Sequence, residues 1–106
     1  MVKSTAGKKH ARKARKLLEN VPEQYEFRCC DGRRLKNLKE LCVALETMPE
    51  ETYFYHANSQ KSDFCNSARD IIRDEVLASS LGRCPNREDA AHAVAARIAV
   101  LSNGRG

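Results

Sequence analysis

Between positions 53 and 74 the sequence gathers Tyr53, Tyr55, His56, Asn58, Asp63, Arg69, Asp70 and Asp74. A histidine near carboxylates can act as a general base or supply part of a metal site. Asp70 and Asp74 are one helical turn apart and could share a face, with Arg69 or Arg73 pairing one of them. Chemistry would need more than this set. The sequence has no nucleophile elbow, no phosphate loop and no Cys/His group at metal spacing. The expected role is a structural hydrogen-bond network, in which His56 and Asp63 fix a helix–turn–helix junction, or a surface for a protein partner. No enzymatic activity, cofactor or metal is expected.

The adjacent thiols Cys29 and Cys30 lie among Arg28, Arg33 and Arg34. Neighbouring arginines can lower a thiol pKa and make it reactive. Zinc would need four ligands, and the spacing to Cys42, His56, Cys65 or Cys84 matches no standard site. These thiols read as strand-end residues, with Arg33 and Arg34 extending a basic surface. The five cysteines are odd in number and form no CxxC pair, so a disulfide framework is not expected.

The strongest functional signal is charge. Lys3, Lys8, Lys9, Arg12, Lys13, Arg15 and Lys16 fall in residues 1 to 18 without one acid. The whole chain is at +5, which leaves the other 88 residues at −2. A basic arm on a slightly acidic body calls for a polyanionic partner, because Lys and Arg neutralise phosphates and release counterions. The stretch GKKHARKARK offers charge on several faces and no aromatic groups for stacking. Arginine-rich segments that fold on binding are typical of RNA recognition. RNA or a ribonucleoprotein is expected ahead of DNA. A membrane partner is not expected, since no bulky apolar face precedes Leu17 and no apolar run spans a bilayer. The same features, with the thiols, point to the cytoplasm.

These residues must be positioned by local elements. Ala6 to Asn20 favours helix, and Val21-Pro22 ends it. Tyr25 to Cys29 alternates like a strand, Asp31-Gly32 marks a tight turn, and Arg33 to Leu35 offers a short return strand. Leu35, Leu38, Leu41, Cys42, Leu45 and Met48 form one helical stripe. Residues 50 to 58 favour a short helix after Pro49, and 59 to 61 a turn. Ser62 caps a helix carrying Phe64, Ala68, Ile71 and Ile72, which breaks near Asp74 and resumes through Leu81. Asn86 with Asp89 resembles a capping box for a last helix ending near Leu101, with Ala91, Val94, Ile98 and Leu101 inward.

The segment from about Phe27 to Ala78 resembles a family of small bacterial and archaeal domains with no assigned activity. The family pattern runs DGRxLxxLxEL, then YYHxNxxxNDFxNWxRD, then DxxLA. The corresponding residues are DGRRLKNLKEL (31 to 41), FYHANSQKSDFCNSARD (54 to 70) and DEVLA (74 to 78). Ser62 stands at the usual Asn and Ser67 at the usual Trp. The resemblance implies one compact helical domain, names no chemistry and does not reach the basic arm.

At 106 residues, 42% apolar and 6% aromatic with no Trp, the chain supports one domain with an aliphatic core. The expected fold is mainly α (α+β): a short β-hairpin packed on about four helices. The expected division is a helical or disordered basic tail at 1–20, a domain at 21–101 and a frayed end at 102–106.

Overall fold

The computed structural model describes residues 15 to 102. The first described residues, 15–18, form a helical segment, α1. A 3-10 turn (Glu23–Tyr25) leads to strand β1 (Phe27–Arg28) and strand β2 (Arg34–Leu35). Helices α2 (Leu38–Thr47), α3 (Glu50–His56) and α4 (Asp63–Ser67) come next. A π-helical turn (Ala68–Ile72), α5 (Glu75–Gly82) and α6 (Arg87–Ser102) complete the fold. The fold is mainly α with one antiparallel hairpin, as the sequence indicates.

Helix α2 is built from both ends. Asn37 Oδ1 accepts the Glu40 amide at 2.9 Å, and Glu40 returns a carboxylate oxygen to the Lys36 amide at 3.0 Å. This pair satisfies amides that a helix N-terminus leaves without partners. At the other end Arg87 Nη1 donates to the carbonyls of Leu45 and Glu46 at 2.7 and 3.0 Å. Leu38, Leu41, Cys42, Ala44 and Leu45 are buried, and α2 packs against α6 through Ala90, Ala91, Val94 and Leu101 on the buried face of α6. Ile98, expected inward, is only partly buried.

The hairpin differs from its sequence reading. Phe27 pairs with Leu35 and Arg28 with Arg34, so residues 29–33 form the loop. Asp31-Gly32 lies in the tight turn that the sequence indicates, closed by the Gly32 N–H to the Cys29 carbonyl at 3.0 Å. Gly32 takes φ 98°, a conformation that glycine adopts without a Cβ clash. Tyr25 belongs to the 3-10 turn and is exposed. Leu35, placed by periodicity on the α2 stripe, is a strand residue that still buries its side chain.

Ser62 caps α4 through its hydroxyl and the Cys65 amide at 3.1 Å. Asn86 likewise accepts the Asp89 amide at 2.8 Å, at the start of α6. The break near Asp74 is real, and its pivot is Arg73, in the left-handed region at φ 68°, ψ 39°. The folded body also begins earlier than residue 21. Leu17 is buried and Leu18 packs partly against the core.

Candidate functional site

His56 sits at the end of α3 with its side chain buried. Its Nε2 accepts the backbone N–H of Cys30 at 2.9 Å. A ring nitrogen that accepts carries no proton, so the proton is on Nδ1, 3.0 Å from Asp63 Oδ2. One imidazole therefore ties the hairpin loop to the start of α4. Around it Phe64 stacks with Phe27 and Tyr53, at centroid distances of 5.1 and 5.6 Å. His56 and Phe27 meet edge to face, with their ring centroids 5.1 Å apart.

Asp63 also receives Lys61 Nζ at 3.2 Å, and that ammonium stands 5.1 Å from the centre of the Tyr55 ring. Partial burial pushes the Asp63 carboxyl up. The hydrogen bonds from His56 and Lys61, with the Lys61 charge, outweigh it and hold the group below its usual value. Asn58 closes the intervening turn by accepting the Gln60 amide and donating to the Phe54 carbonyl.

The candidate set therefore divides. Tyr53, Tyr55, His56, Asn58 and Asp63 come together. Arg69 and Asp70 pair with each other on an exposed face, Arg69 Nε lying 3.0 Å from Asp70 Oδ1. Asp74 shares no face with Asp70, a correction to the helical spacing. The left-handed turn at Arg73 redirects the chain, so Asp74 is buried, caps α5 at the Leu77 amide and meets Arg97 Nε at 2.7 Å. Arg73 pairs with neither carboxylate. Local spacing carries no sign of Arg97, which lies 23 residues away in sequence. The Cys30–His56 bond spans 26 residues and is equally hidden.

Cys29 is buried, and burial pushes its thiol up, opposite to activation by the nearby arginines. Cys30 is exposed. Among the described residues no three His, Cys, Asp or Glu side chains gather as a metal site. None of their helices is long and apolar enough to cross a membrane.

Of the basic arm, Lys3, Lys8, Lys9, Arg12 and Lys13 lie outside the described residues. Arg15 and Lys16 are exposed on α1. Two hydrogen bonds anchor the chain just beyond them: Val21 N–H to the Lys36 carbonyl at 2.8 Å, and Asn37 Nδ2 to Asn20 Oδ1 at 2.7 Å. Arg34, Lys36 and Lys39 are exposed around that attachment. Arg33 is less free, held by Asp31 at 3.1 Å and by the Thr47 hydroxyl at 2.7 Å.

Comparison with family models, curated proteins and solved structures finds no match to this chain.

Proposed function

We propose that this chain is a small, non-enzymatic nucleic-acid-associated protein of the cytoplasm, with RNA or a ribonucleoprotein as its partner ahead of DNA. The observation that carries the proposal is the way the basic segment joins the body. Leu17 is buried while Arg15 and Lys16 stay in solvent, and the Val21–Lys36 and Asn20–Asn37 bonds hold the segment beside exposed Arg34, Lys36 and Lys39. The arm's charge thus runs on into charge fixed on the domain. Phosphates bound along the arm would continue onto a rigid surface, which limits the ordering cost of binding.

Binding of the full chain to a generic RNA, titrated with salt, tests this. Six to ten phosphate contacts lower affinity by about 10³ to 10⁵ between 50 and 200 mM salt. Charge reversal at Lys9, Arg12, Lys13 and Lys16 together should abolish binding. Salt-independent affinity would sink the proposal.

A second reading rests on Phe54 and Tyr55, adjacent aromatics that are 45% and 60% exposed. They supply the kind of surface that a protein partner covers. Deleting residues 1–14, which spares buried Leu17, separates the two: RNA binding is lost under the first reading, and protein capture survives under the second.

A further inference from the structure

A cleft of about 590 Å³ opens between α1 and the π-helical turn. Leu17, Val21, Ile71 and Ile72 form its apolar lining, and Lys16, Glu19 and Arg73 line it as well. The π-helical winding adds a residue to the turn and shifts the phase of the residues after it. Ile71 and Ile72, inward on a regular helix, are left half-buried and face this opening.

Arg73 is the unusual feature. It holds a left-handed conformation at the end of the turn, where the Asp74 amide returns to the Ala68 carbonyl at 2.9 Å. Glycine or asparagine normally occupies such a position, because a Cβ is strained there. Among the described residues the Arg73 side chain makes no hydrogen bond or ion pair, so none of their contacts explains an arginine. Residues 1–14 contain no carboxylate that could neutralise it. Strain retained at an exposed, charged position points to use of the side chain.

We propose that this cleft seats one unstacked nucleotide of single-stranded RNA. Arg73 and Lys16 hold the flanking phosphates, and the base lies against Ile71 and Ile72. The match is chemical: the face of a flat base meets an apolar lining, and its flanking phosphates meet two cations that outnumber the one carboxylate, Glu19, on the same cleft. Bases taken out of a stack are held in this way by apolar side chains and basic residues. The assignment rests on the nucleic-acid reading above and adds a preference for single strands that the arm alone would not give.

The test compares the full-length chain with its Arg73→Gly and Arg73→Lys variants, using a short oligouridylate, a duplex RNA and an oligodeoxythymidylate of equal length. Glycine removes the side chain and relieves the backbone, so the Arg73→Gly melting temperature should be unchanged or higher. Its affinity for oligouridylate should fall about tenfold, and the salt slope should shrink by about 0.7, one single-strand phosphate contact. Duplex binding should be unaffected, and Arg73→Lys should retain most of the wild-type affinity. Unchanged oligouridylate binding by Arg73→Gly, or equal losses on single strand and duplex, would overturn the cleft while leaving the arm's role standing. A lowered melting temperature would instead make Arg73 a structural residue. Tighter binding of the deoxy oligomer, or of a glutamate-rich peptide, would remove RNA as the occupant. If the wild-type chain binds none of the nucleic acids at low salt, both proposals fall.

Discussion

His56 joins two segments that no local element connects: the backbone N–H of Cys30 points to its Nε2 at 2.9 Å, and its own Nδ1 proton points to Asp63. Replacing the ring by methyl in His56→Ala removes both bonds and part of the aromatic packing. One of the bonds involves a charged group, so the cost should be about 2 to 4 kcal/mol, or a melting temperature lowered by roughly 10 °C or more. His56→Gln should recover part of this. Nitrogen NMR shifts should show the Nδ1–H tautomer. A melt within a degree or two of wild type would mean that the ring is not the connector.

Acid should weaken the fold partly through Asp63. Its carboxyl is held below the ordinary aspartate value in the folded state, so the unfolded chain binds its proton more readily. The resulting stabilisation is full above the unfolded value and is lost as pH falls through the folded one. Below about pH 4 the wild type should therefore lose stability faster than Asp63→Asn, whose amide oxygen can still accept from His56. Parallel acid limbs in urea unfolding curves would contradict this.

Asp74→Ala should be among the most damaging polar substitutions. It strips the α5 cap and leaves Arg97 partly buried without its partner. Breaking a buried pair costs about 3 to 5 kcal/mol. Asp74→Asn keeps a capping oxygen and should cost less. If the two variants unfold at the same denaturant concentration, the cap contributes nothing measurable.

Thiol labelling of the native chain should modify Cys30 first, the one exposed cysteine. Cys42 should be among the slowest, because burial and the Glu46 carboxylate push its thiol up to about 11. Mass spectrometry after brief treatment with iodoacetamide reads the order. Early modification of Cys42 would show that the contact between α2 and α6 opens readily.

Much of the helical framework is legible in the sequence because its signals are local. Ser62 and Asn86 announce their helices by side-chain caps, and the α2 stripe follows from apolar spacing. The break near Asp74 is also visible, but its form is not. A π-helical turn ending on a left-handed arginine has no periodic signature. The turn at Asp31-Gly32 is legible from its residues, but the strands beside it are shorter than their alternation suggests, because Tyr25 enters a 3-10 turn instead. Within the candidate site, His56 and Asp63 are only seven residues apart and are readable as a pair. Cys30, Arg97 and the grip of Arg87 on α2 depend on chain return over 23 to 42 residues, which sequence spacing does not encode.

The packing of α2 on α6 also sets when the protein can become stable as it is made. The inner face of α2 finds its cover in Ala90, Ala91, Val94 and Leu101, which are synthesised long after it. A nascent chain that has already emitted α2 must keep Leu38, Leu41 and Leu45 waiting in water. Only when α6 has left the ribosome can the core close.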